Sequence, residues 1–232
     1  MQIPGFREVI GSGSMMKNKM IVIDGVDGSG KGVQTRRLHQ AIIEAGHAAI
    51  LTREPGGSPA AEEIRKLLVE GAPEKWDSMT ELLLMYAARR SHLNETIYPA
   101  LKSAQWVVSD RFADSSRAFQ GIAGELGLEV VEKIHHLVVG SFVPDLILIL
   151  DIPETVALQR AIKRGGQEDR FEQKGEHYQS RVRQAFLQIA ASDARHYQVI
   201  DAGGSIDEVS QEIFDAVNQR FQLSLKLDSG IQ

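Results

Sequence analysis

The stretch Gly25-Val26-Asp27-Gly28-Ser29-Gly30-Lys31-Gly32 holds the clearest chemistry in the chain. It fits the spacing G-x-x-x-x-G-K, in which glycines let backbone N–H groups turn toward a polyphosphate with no side chain in the way. Lys31 would reach the β- and γ-phosphates. The free N–H groups opening the next helix add partial positive charge. The pattern normally ends in a Ser or Thr hydroxyl that binds Mg2+. Gly32 stands there instead, Val33 offers no replacement, and Thr35 lies further along the helix.

Other candidates sit where apolar runs end. Arg53 and Arg111 each follow such a run, and arginine suits bidentate contact with phosphate. Asp110 and Asp151 also close apolar runs, the usual place for a carboxylate near Mg2+, and pattern alone leaves them as rivals. An acceptor phosphate and a donor phosphate held nose to tail would need two basic sets, one on each side, as in a nucleoside monophosphate kinase.

The elements that must position these groups are legible as runs and periods. Five strands are expected near 19–24, 48–52, 106–110, 145–151 and 198–201, with amphipathic helices between them. Ser58-Pro59 reads as a helix start, Ser78-Met79-Thr80-Glu81 as a capping box, and Pro99 as a kink. The alternation predicts an α/β fold: a five-stranded parallel sheet with helices on both faces, in one domain over 17–222. Residues 1–16, with Gly11-Ser12-Gly13-Ser14, read as an extension or expression scar outside the fold, and 223–232 as a loose tail. A net charge of −5 argues against nucleic acid as the main partner, and no apolar run approaches the roughly 20 residues of a membrane span. There is no cysteine, so disulfides and thiolate metal sites are excluded, in keeping with a cytoplasmic location.

Four further stretches, in this order and spacing, resemble the thymidylate kinase family: Thr52-Arg53-Glu54-Pro55-Gly56-Gly57, Tyr86-Ala87-Ala88-Arg89, Asp110-Arg111-Phe112 with Ser115-Ser116-x-Ala118-Phe119-Gln120-Gly121, and Asp169-Arg170-Phe171-Glu172. The resemblance spans about 17–220 and implies a three-layer P-loop NTPase sandwich that phosphorylates dTMP with ATP and Mg2+. It also implies a homodimer.

Residue roles follow from the same resemblance. Arg53 would grip the dTMP phosphate, and Arg111 would lie between donor and acceptor phosphates. Asp27 would face the acceptor sugar near the transferred phosphate, and Asp110, in the family's D-R pair, would stand near Mg2+. Arg89 would hydrogen-bond the thymine O4 side, with Ser116 and Gln120 completing the base pocket. Phe119 would lie under the deoxyribose where relatives often carry tyrosine. Met85 replaces the usual stacking phenylalanine, with Tyr86 beside it, and Glu172 would approach the acceptor. The segment of about 160–175 would be a lid over ATP; the phosphate loop holds no basic residue at Gly28 or Ser29, so the lid would supply the catalytic arginine. Arg164 is the first candidate, with Arg160 and Arg170 behind it.

The acceptor phosphate is already an oxyanion, so no general base is needed; alignment and charge neutralisation would carry the reaction. With Gly32 in the loop, Mg2+ would be held mostly by phosphate and water. Two other readings stand beside this one: a kinase for another nucleoside monophosphate, and a nucleotide-binding protein without phosphotransfer.

Overall fold

Met20-Ile21-Val22-Ile23 and Leu146-Ile147-Leu148-Ile149-Leu150 are apolar at every position, and a strand can tolerate that only if both its faces are covered. In the computed structural model, which describes residues 19–227 except 154, 158, 161–169, 172 and 173, both runs lie in the middle of a sheet. Its strands are β1 (Met20–Gly25), β2 (Ala49–Arg53), β3 (Trp106–Asp110), β4 (Leu146–Asp151) and β5 (Tyr197–Asp201). All are parallel, in the order β2-β3-β1-β4-β5. The edge strands β2 and β5 are only partly buried, as their more mixed sequences require.

Helices surround the sheet: α1 (Lys31–Glu44), α2 (Pro59–Val69), α3 (Ser78–His92), α4 (Tyr98–Lys102), α5 (Ala113–Ser116), α6 (Leu128–Val138), α7 (Glu176–Ser192) and α8 (Ile206–Phe221). The expected P-loop NTPase sandwich is the architecture observed. Strand register then brings distant residues to one edge. Arg53 pairs with Asp110, Asp110 with Ile23, and Gly25 with Leu150. The phosphate loop and the Asp110-Arg111 pair therefore meet at the carboxyl ends of the strands, where open α/β sheets bind ligands. Among the described residues no helix is long and apolar enough to cross a membrane.

Several local expectations need correction. Asp77, not Ser78, caps α3, its carboxylate accepting from Thr80 N at 2.6 Å. Glu81 therefore does not close a capping box and instead turns into the core, wholly buried. Ser58 does hold the N-cap position of α2, but its buried hydroxyl makes no capping bond. Ahead of Pro99 the helix widens into a π segment, Leu93–Ile97; proline lacks an N–H, so the bonding pattern must shift there. A second π segment, Arg117–Ala123, carries Phe119 and Gln120. The end of the chain is not loose throughout: Leu225 is buried, and the Asn218 amide accepts from its N–H and donates to its carbonyl.

Candidate active site

The loop after β1 has the backbone its glycines allow. Gly28 (φ 81°) and Gly30 (φ 92°) are left-handed. A Cβ on Gly28 would run into the carbonyl of Ala157, so a larger residue there would displace the backbone at Ala157. Gly30 caps α1, whose first turn holds no acid to compete with an anion at the helix N-terminus. The Lys31 ammonium donates to the Val26 carbonyl at 2.6 Å. Burial, with Arg111 adding to it, pushes the Lys31 pKa down to about 8.

Arg111 is the hub. It adopts φ 71°, a left-handed conformation that costs an arginine roughly 1–3 kcal/mol and marks functional sites. That turn aims its guanidinium back across the loop. Nη1 donates to Asp24 Oδ1 (3.1 Å), the Gly25 carbonyl (2.9 Å) and Ser115 Oγ (2.9 Å). Nη2 donates to Asp27 Oδ1 at 2.5 Å. Asp24 is wholly buried; burial pushes its pKa up to about 6, against the pull of Arg111 and Lys31. The Arg111 guanidinium also lies over the Phe119 ring, 5.1 Å from its centroid.

A second network starts at β2. Thr52 Oγ1 meets His92 Nε2 at 2.6 Å, and His92 Nδ1 meets Glu54 Oε1 at 3.1 Å. Glu54 Oε2 then accepts from Arg89 Nε at 2.7 Å. Burial opposes the Glu54 charge, but Arg89 and His92 outweigh it and hold its pKa low. Arg89 further donates to Ser116 Oγ and the Phe112 carbonyl, both at 3.1 Å. Arg53 is half exposed, and its Nη2 donates to Glu62 at 3.1 and 3.3 Å. Glu62 also accepts from Gly57 N at 2.9 Å, tying the loop to α2.

Both networks border one cleft of about 850 Å³. Its lining includes Asp27, Gly28, Ser29, Gly30, Lys31 and Gly32 of the phosphate loop, and Arg53, Met85, Arg89, Phe119 and Gln120, together with Asp110 and with Arg111, which bonds the loop at Asp27 and lies over Phe119. Arg160 is also in the wall and donates to the Ala202 carbonyl at 3.0 Å. Gly25 and Val26 lie beneath the loop, Gly25 packed against Leu150.

Four sequence candidates sit elsewhere. Tyr86 is buried behind Arg89, its ring 4.4 Å from the guanidinium and its hydroxyl 3.2 Å from His135 Nδ1. Ser116 is likewise behind the wall, and Ser115 is the serine in the cleft, donating to Asp24 Oδ1 at 2.8 Å. Arg170 is no cleft cation: it is wholly buried beneath the α2–α3 connection. Asp151 is taken by Arg183 (2.7 and 3.0 Å), which separates it from Asp110. Arg164 and Glu172 lie outside the described residues.

The wall residues that sequence reasoning missed include Glu54, Arg65, Phe171 and the β5–α8 loop at Ala202, Gly204 and Ser205. Ala202-Gly203-Gly204-Ser205 did carry a signal, a glycine pair directly after a strand. Glu54 stood inside a quoted motif without a role.

A family model described as thymidylate kinase matches residues 23–213. The thymidylate kinase of Caulobacter vibrioides is 47% identical over 209 residues, covering 90% of this chain and 100% of its own. That of Ruegeria pomeroyi is 45% identical over 198 residues, covering 85% and 93%. A crystal structure of the thymidylate kinase from Ehrlichia chaffeensis superposes with a TM-score of 0.70 at 28% identity, covering 86% of this chain and 98% of that one.

Proposed function

The chain belongs to the thymidylate kinase family, and from that premise we propose that it transfers the γ-phosphoryl group of ATP to dTMP, giving dTDP and ADP. The observation that carries the reading is a single cleft lined both by the phosphate loop with Lys31 and by a second set, Arg53, Arg89 and Gln120, with Arg111 bonded to the loop at Asp27 and lying over Phe119. A protein that only stored a nucleotide would have no need of the second basic set.

We assign the donor to the loop N–H groups, the α1 N-terminus and Lys31, with Arg160 beside the Ala202 carbonyl. Arg53 grips the acceptor phosphate. Arg111 spans the junction, and its attachment to both Asp24 and Asp27 keeps the guanidinium from swinging away as phosphate charge arrives. Asp27 faces the acceptor sugar. Phe119 carries the deoxyribose, Met85 packs on the thymine, and Arg89 and Gln120 read the base. Ser116 and Tyr86 act through Arg89, as a hydrogen-bond acceptor and a ring beneath it. The acceptor oxyanion attacks directly; alignment and charge neutralisation by Lys31 and Arg111 lower the barrier. Arg164, a lid candidate on sequence, would add to that charge.

Asp110 fits the metal side of the site. Its Oδ2 lies 3.4 Å from where a Cβ on Gly32 would stand, and its charge acts on Lys31 and Arg111. No cluster of three or more His, Cys, Asp or Glu able to hold a metal occurs among those residues. We therefore read Mg2+ as held by Asp110, phosphate oxygens and water, supplying charge neutralisation on the polyphosphate when bound.

A homodimer is also proposed. α3 packs on both α2 and α6, and these helices expose Leu83, Leu67 and Leu137. A cytoplasmic role in dTTP synthesis completes the reading. The test is ADP release with dTMP, dUMP, UMP, CMP, AMP and GMP as acceptors. dTMP should give the highest kcat/KM, and a better acceptor among the others would overturn the proposal.

A further inference from the structure

Gln120 lines the cleft, and its buried Oε1 has no hydrogen-bond partner among the described residues. The other end of the same amide is committed: Nε2 donates to Glu81 Oε2 at 3.0 Å. Glu81 is wholly buried, and its second oxygen, Oε1, accepts from Arg170 Nη2 and Lys174 Nζ, each at 2.7 Å. Arg170 is itself locked: it donates to the carbonyls of Ala72 (3.0 Å), Leu68 (3.3 Å), Pro73 (2.9 Å) and Trp76 (3.3 Å). Ion-paired with two cations through Oε1, the Glu81 carboxylate presents Oε2 to Gln120 as an acceptor. The Gln120 amide therefore has one allowed orientation, NH2 toward Glu81 and carbonyl away from it.

We infer that Glu81, clamped by Arg170 and Lys174, is a positioning residue that fixes Gln120 as a pure hydrogen-bond acceptor and so selects an acceptor base carrying a ring N–H. Thymine and uracil have that donor at N3. Cytosine has a lone pair at N3 and would leave two acceptors facing each other. The inference rests on the reading of this end of the cleft as the base site. It gives a role to the arginine of Asp169-Arg170-Phe171-Glu172 that its motif does not disclose: through Glu81 it governs the Gln120 side chain. The adjacent Phe171 also lines the cleft and meets Phe119 edge-on, with centroids 5.7 Å apart.

The test is the ratio of kcat/KM for dTMP to that for dCMP, in wild type and in Glu81→Gln. An uncharged amide at 81 accepts or donates, so Gln120 can turn over and meet the cytosine lone pair. The ratio should fall by about 10- to 100-fold, the worth of one unpaired buried polar group, while KM for ATP stays within about twofold. Glu81→Gln raises the local charge, so the double variant Glu81→Gln/Lys174→Met, which keeps the net charge of the cluster at that of the wild type, guards against unfolding. Thermal shift by saturating dTMP and dCMP gives the same ratio as binding. Equal losses for both nucleotides, or an unchanged ratio in both variants, would overturn the positioning role while leaving the kinase reading intact. A wild-type protein that prefers dCMP would instead sink the reading of the base site.

Discussion

Replacing Arg53 by alanine separates the two ends of the cleft. Arg53 is half exposed, and it pairs with Glu62 at 3.1 and 3.3 Å. An exposed pair of this kind is worth at most about 1 kcal/mol. Two charge-assisted hydrogen bonds to a phosphate, taken at about 1.5 kcal/mol each because the site is partly wet, give about 3 kcal/mol. Surrendering Glu62 leaves about 2–2.5 kcal/mol, which at 1.4 kcal/mol per decade is about 30- to 60-fold in kcat/KM for dTMP. The fold should survive, because Glu62 still accepts from Gly57 N at 2.9 Å and keeps the loop in place. The assay is ADP release with dTMP varied at saturating ATP, then ATP varied at saturating dTMP. KM for ATP should move less than about twofold. A loss below about fivefold for dTMP, or equal losses for both substrates, would refute the assignment of Arg53 to the acceptor phosphate.

Two other outcomes follow from particular groups. Lys31 has a pKa pushed down to about 8 by burial, and a bound polyphosphate favours its charged form. ATP binding should therefore take up a proton above pH 8, with KM for ATP rising up to about tenfold per pH unit there while KM for dTMP stays level; a flat ATP profile to pH 9.5 would contradict this. Tyr86→Phe should cost about 1 kcal/mol of stability through the lost contact with His135 and leave kcat/KM for dTMP within about threefold, since Tyr86 lies behind Arg89. A tenfold loss would return Tyr86 to the substrate.

Local features were legible because local chemistry decides them. A strand buried on both faces must be apolar throughout, so β1 and β4 stood out as unbroken runs. The phosphate loop needs glycine where φ is positive, and Gly28 and Gly30 meet that need within a few residues of Lys31. Strand ends then pointed to Arg53, Asp110 and Arg111, which do line the cleft. Side-chain direction was less legible. Met85 and Tyr86 are adjacent on a helix, so about 100° separates them, and only the packing of α3 against α6 decides which one faces the cleft. The same holds for Ser115 and Ser116, whose roles turn on the left-handed Arg111 before them.

The sequence by itself determined the phosphate loop, the parallel sheet and, through its motifs, the family. Tertiary structure alone decided the partners of the buried charges. Glu81 looked like a helix cap because Ser78 stands three residues before it, yet its partners Gln120, Arg170 and Lys174 lie 39, 89 and 93 residues away. A buried carboxylate must find compensating charge wherever the fold brings it, and no spacing along the chain records which cation that is.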